Sequence, residues 1–88
     1  MRKTYCARKW LNRNESPSTG EIVVFDGMVK DEDSEYRTTF CQIGDCFEKV
    51  KLHKADYDSM DDFIEKMKLM RDVIDRFVEH LEENKEEE

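Results

Sequence analysis

A chain of 88 residues with a formal net charge of −7, 42% charged and 38% hydrophobic, holds little apolar material for a core and makes one small domain. Domains of this size commonly gain stability from a metal, disulfides or a partner subunit. No run of about 18 apolar residues occurs, which argues against a membrane-spanning helix, and the basic start Met1-Arg2-Lys3 has no apolar stretch behind it, which argues against a secretory signal.

A cytoplasmic protein is the resulting expectation, and Cys6, Cys41 and Cys46 agree with it. They are odd in number, each sits in an apolar-rich segment, and all three are expected as buried small hydrophobes. The charge is unevenly placed. Residues 1–53 hold nine Lys/Arg and nine Asp/Glu, whereas residues 54–88 hold six and thirteen. Within residues 1–14, Arg2, Lys3, Arg8, Lys9 and Arg13 stand with no acid at all. An acidic balance disfavours nonspecific binding to nucleic acid or to a membrane surface, and a local basic face is compatible with it.

Lys3 to Asn12 mixes aromatics, Thr and Cys with basic residues and predicts a first strand. Arg13 to Gly20, with the only proline and no apolar residue, predicts a loop. Glu21 to Lys30 opens with Ile22-Val23-Val24-Phe25, as a strand covered on both faces does. Asp26-Gly27 inside it reads as a bulge in preference to a hairpin turn. Asp31 to Glu35 is an acidic turn.

Glu35 to Ile43 and Cys46 to His53 predict a hairpin across Gly44-Asp45, pairing Ile43 with Cys46, Cys41 with Glu48, Thr39 with Val50 and Arg37 with Leu52. Alternation then puts Thr39, Cys41, Ile43, Cys46, Val50 and Leu52 on a core face. The opposite face is mixed aromatic and basic, with Tyr36, Thr38, Phe40, Gln42, Phe47, Lys49, Lys51 and His53.

The strongest signal is the last. From Ser59 to Glu82, Met60, Phe63, Met67, Met70, Ile74, Phe77 and Leu81 recur in an unbroken 3-4 spacing that only an α-helix places on one side. Asp58 or Ser59 caps it, and Ser59-Met60-Asp61-Asp62 approximates a capping box. The expected fold is α+β: three or four antiparallel strands in a meander with one long C-terminal helix packed across one face. It forms a single domain over residues 1–82, followed by an acidic frayed tail at 83–88.

Ile64, Leu69, Val73 and Val78 widen the helical stripe beyond a two-helix seam. Twofold self-association is a common answer to such a surplus. Leu69, Val73, Phe77, Val78 and Leu81 are the candidate dimer interface, with a monomer fully covered by its own twisted sheet as the alternative.

No enzyme constellation is present. The glycines are too dispersed for a phosphate loop, the helix carboxylates fall where an amphipathic helix must be polar, and Cys41-x4-Cys46 lacks the second pair of a zinc site. No metal or cofactor is expected. The expectation is a small non-catalytic binding or regulatory module, acting through contact with a protein partner as a homodimer.

The alternative is single-stranded nucleic-acid binding through an aromatic and basic sheet face made of Arg8, Trp10, Tyr36, Phe40, Phe47, Lys49 and Lys51. Four strands followed by a helix also resembles the layout of the PC4-type single-stranded DNA-binding coactivators, a resemblance that implies a dimer with a nucleic-acid-binding sheet. The net charge of −7 departs from the basic character of that family.

Overall fold

The computed structural model describes residues 3–15 and 19–87, the side chain of Glu87 excepted. Arg2 of the basic start, Ser16-Pro17-Ser18 of the first loop and Glu88 of the tail lie outside the described residues. The elements are β1 (Tyr5–Trp10), β2 (Glu21–Lys30), β3 (Glu35–Gly44), β4 (Lys49–His53) and α1 (Met60–Asn84), closed by a 3-10 turn at Lys85–Glu87. They fall into two compact units, Met1–Ala55 with the sheet and Asp56–Glu88 with the helix. Among the described residues no helix is long and apolar enough to cross a membrane.

The sheet is an antiparallel meander in the order β1-β2-β3-β4. Pairing between β1 and β2 runs one to one from Tyr5 opposite Asp26 to Trp10 opposite Glu21. Between β2 and β3 it runs from Glu21 opposite Gly44 to Lys30 opposite Glu35. The β2–β3 ladder passes Asp26-Gly27 without an extra residue, pairing Asp26 with Thr39 and Gly27 with Thr38, so neither the expected bulge nor a turn forms there. Glycine serves another need at 27. A side chain there would set its Cβ 2.8 Å from Thr4 Cγ2 and 3.0 Å from the Phe25 ring, so Gly27 lets Thr4 lie across the strand.

The last hairpin corrects a second expectation. Gly44 pairs with Lys49, Ile43 with Val50, Gln42 with Lys51, Cys41 with Leu52 and Phe40 with His53. The loop is therefore Asp45–Glu48, four residues instead of two, and each pair is displaced by four from the expected register. A two-residue type I′ turn needs left-handed backbone at both central positions, and no described residue has positive φ. Asp45 closes the longer loop instead. Its N–H donates to the Glu48 carbonyl at 2.9 Å, and its Oδ1 accepts from the N–H groups of Phe47 and Glu48, both at 2.9 Å. Because the displacement is even, Thr39, Cys41, Ile43, Val50 and Leu52 still share a face. Cys46 leaves that set for the loop.

In the helix unit, Ser59 accepts from Asp62 N–H at 3.1 Å while Asp62 Oδ2 accepts from Ser59 N–H at 3.1 Å. Both halves of the capping box are thus made with Asp in the usual Glu position. Asp61 and Asp62 add negative charge to the positive helix end. The helix runs two residues past the expected Glu82 and measures about 37 Å at ~1.5 Å per residue. Among the described residues, buried apolar side chains are few: Val23 and Cys41 in the sheet and Phe63 in the helix.

Candidate functional site

Register sorts the sheet into two faces. One carries Ala7, Ile22, Val24, Cys41, Ile43, Val50 and Leu52 at its centre. Toward its far end, Arg37 grips Asp26 with two parallel bonds, Nε to Oδ1 at 2.8 Å and a terminal nitrogen to Oδ2 at 2.7 Å, and Thr39 Oγ1 donates to the same Oδ1 at 2.8 Å. These bonds, the Arg37 one foremost, hold the Asp26 carboxyl below its ordinary pKa.

The other face is built from three rungs that each cross all four strands. The first is Trp10, Glu21, Gly44 and Lys49; the second Arg8, Val23, Gln42 and Lys51; the third Cys6, Phe25, Phe40 and His53. Phe25 and Phe40 stack with centroids 5.8 Å apart, His53 tilts against Phe40 at 5.6 Å, and Lys51 Nζ stands 4.4 Å above the Phe40 ring. The cation over an aromatic face is itself attractive, and here it fixes the lysine beside an aromatic platform.

Six of the seven residues anticipated for a nucleic-acid surface fall on this one face: Arg8, Trp10, Tyr36, Phe40, Lys49 and Lys51. Tyr36 lies toward its far end, beyond Thr38. Phe47 does not belong to it. The four-residue loop carries Phe47 at its tip, 90% exposed.

Sequence reasoning missed Phe25 and Glu21. The run Ile22-Val23-Val24-Phe25 is apolar at both parities, so it gives no hint of which members share a face with Phe40; only the β2–β3 register supplies that. No local signal singled out Glu21, since β2 also carries Asp26 and Lys30, both of the other parity.

Glu21 is only 5% exposed, and Lys49 Nζ lies 3.3 Å from its Oε1. Gly44 makes this pair possible. A Cβ there would come within 2.6 Å of Lys49 Cγ and 2.7 Å of the Glu48 carbonyl oxygen. A pocket of about 320 Å³ opens over this first rung, bounded by Arg8 and Trp10 on one side and by Asp45 and Cys46 on the other. Cys46 N–H donates to Thr19 Oγ1 at 3.3 Å, joining the two loops at that end.

Of the cysteines expected to be buried, only Cys41 is; Cys6 and Cys46 are exposed. The reason is placement: Cys6 lies on the edge strand and Cys46 in the loop. Burial raises the Cys41 thiol pKa. Among the described residues no group of three His, Cys, Asp or Glu side chains is placed to hold a metal ion.

On α1 the apolar residues from Leu69 round to Ile64 occupy roughly 220° of the circumference at about 3.6 residues per turn. Leu69 and Val73 are 63% and 64% exposed, and Phe77, Val78 and Leu81 are also exposed. Leu69, Met70, Val73 and Ile74, with Lys66 at the edge, line a shallow apolar groove. Among the described residues the helix unit contains no strand and no second long helix.

No protein-family model matches this chain, and no curated protein or solved structure does.

Proposed function

We propose that this chain is a small non-catalytic binding module that acts as a homodimer, joined through α1. The observation that carries this is the exposed Leu69–Val73–Phe77 flank beside an unbroken 3-4 seam, in a unit holding a single long helix. A twofold contact covers the same patch on both copies at once. Light scattering at micromolar concentration is expected to give twice the 10.6 kDa chain mass; a monomer mass would sink the reading.

What the module binds is a second question, and the rungs favour single-stranded nucleic acid over a protein partner. Stacked aromatics interleaved with cations along a sheet are the working parts of single-strand binders. Arg8, Lys49 and Lys51 stand on that face against the single acid Glu21, despite the acidic chain as a whole. A labelled single-stranded oligonucleotide is expected to bind with strong salt dependence, and Phe40→Ala or Lys51→Ala to weaken it several-fold. Binding indifferent to both substitutions would return the surface to a protein partner.

A further inference from the structure

The end of the sheet that bears Trp10 holds a feature that a purely phosphate-binding surface does not need. Glu21 is a nearly buried carboxylate set among cations, and a carboxylate only accepts hydrogen bonds, so it repels phosphate. It stands in one rung between Trp10 and Gly44, with Lys49 leaning over Gly44 to reach it. The pocket above them, about 320 Å³, is at the small end of the ~300–1,000 Å³ range typical of small-ligand sites. Side by side, Glu21 and Lys49 present two acceptor oxygens and one ammonium donor.

We propose that this pocket takes a guanine base of a single strand. The ring stacks on the Trp10 indole, its N1–H and 2-amino group donate to the Glu21 carboxylate, and its O6 accepts from Lys49. The proposal rests on the single-strand reading of the sheet face.

It is carried by the order of groups along each base edge. Guanine shows donor, donor, acceptor, the complement of a carboxylate beside an ammonium. Cytosine shows donor, acceptor, acceptor; adenine shows donor then acceptor; thymine and uracil show acceptor, donor, acceptor. None of these three has two adjacent donors, so each leaves one carboxylate oxygen unfilled or faced by an acceptor. Arg8 occupies the next same-face position along β1, about 6.6–6.8 Å from Trp10, where it meets the phosphate of the stacked nucleotide. Asp45, the other acid at the pocket, has its Oδ1 already engaged by the Phe47 and Glu48 N–H groups. A lysine or arginine side chain is the other guest a carboxylate beside an indole attracts. Arg8 and Lys49 at the same pocket oppose it.

Trp10 is the only tryptophan of the chain, so its fluorescence reports stacking directly. The full chain is titrated with a short oligothymidylate, with the same oligomer carrying one central dG, dA or dC, with GMP, and with an arginine-rich peptide. The dG oligomer is expected to quench Trp10 and to bind on the order of tenfold or more tighter than the others, the discrimination of one good bidentate base contact. Glu21→Gln replaces two acceptors by one acceptor and one donor. Guanine preference is expected to collapse and the dA and dC oligomers to gain, a change of ranking that a merely structural glutamate would not produce. Lys49→Met is expected to weaken every oligomer through the loss of a cation, and the dG oligomer most. If Glu21→Gln does not fold, the ranking in the unaltered protein decides by itself.

Equal affinity for all the oligomers overturns the guanine pocket and leaves the sheet-face reading standing. Failure of every oligomer and of GMP overturns both. Quenching by GMP without oligomer binding supports the base assignment and overturns the strand as its source. Stronger quenching by the arginine peptide than by any guanine ligand overturns the proposal.

Discussion

The sheet unit and the helix unit sort their side chains by different rules, and the difference decides how each is read. In α1 the sorting is local: two turns of chain bring Met67, Met70 and Ile74 to one side, and nothing distant is needed. In the sheet, neighbours such as Arg8, Val23, Gln42 and Lys51 come from four strands and meet only through pairing. The charge divides along the same line. Residues 1–55 hold ten Lys/Arg against nine Asp/Glu, and residues 56–88 hold five against thirteen. The acidic chain is thus a near-neutral sheet unit, with one face tipped basic, joined to a strongly acidic helix unit. Net charge, taken over the whole, misdescribes both.

The largest expected effect lies on the helix. In a homodimer joined through α1, Phe77→Asp places a charge in an apolar contact, and the dimer dissociation constant is expected to rise about a hundredfold, ~2.7 kcal/mol. Sedimentation measures it. If self-association is unchanged while the far-UV circular dichroism shows an intact helix, the comparison breaks, because the helix would then have no claim to be the joining element.

The next effect tests the sheet. Gly44→Ala puts a Cβ 2.7 Å from the backbone oxygen of Glu48, and a backbone atom cannot swing away as a side-chain tip can. Overpacking of this kind costs about 1–3 kcal/mol. The substitution is also expected to detach Lys49 from Glu21, so denaturant midpoint and guanine preference should fall together. Loss of only one of the two would separate the hairpin from the pocket.

Ser59→Ala returns to the helix with a smaller effect. It removes the acceptor for Asp62 N–H and is expected to cost about 1 kcal/mol of helix stability. Thermal melts followed by circular dichroism measure it, and Ser59→Asp, which keeps an acceptor, should recover most of the loss.

Legibility followed the local-versus-distant division. The cap, the seam and the start of α1 were readable because each depends on residues within one or two turns. Strand positions were readable from composition and turn residues. The β3–β4 register was not, since it hinges on whether Gly44-Asp45 takes left-handed backbone, and Asp45 found a better use accepting from Phe47 and Glu48. The aromatic and basic face survived that error only because the displacement was even; Phe47, counted on it from the shorter loop, did not. Glu21 illustrates the deeper limit. Nothing near it in the chain announces that Trp10, eleven positions earlier, and Lys49, twenty-eight positions later, share its rung.

The smallest effect is also the most selective for pairing across strands. Asp26 meets Arg37 and Thr39 only through the β2–β3 register, and these bonds depress its pKa below the ordinary 3.8. A carboxyl whose pKa is lower folded than unfolded contributes stability that is complete above the unfolded value and is lost as pH falls through the folded one. Unfolding free energy measured from neutral pH down through the acid range should therefore decline for the natural chain below about pH 4, partly on account of this residue. Asp26→Asn carries no such proton and is expected to start less stable at neutral pH and to decline less on acidification, so the two curves converge. Parallel curves would mean that Asp26 is as free to protonate folded as unfolded. The pair with Arg37 would then be a solvent-exposed contact of no consequence, and register in this sheet would have to be held by its apolar face alone.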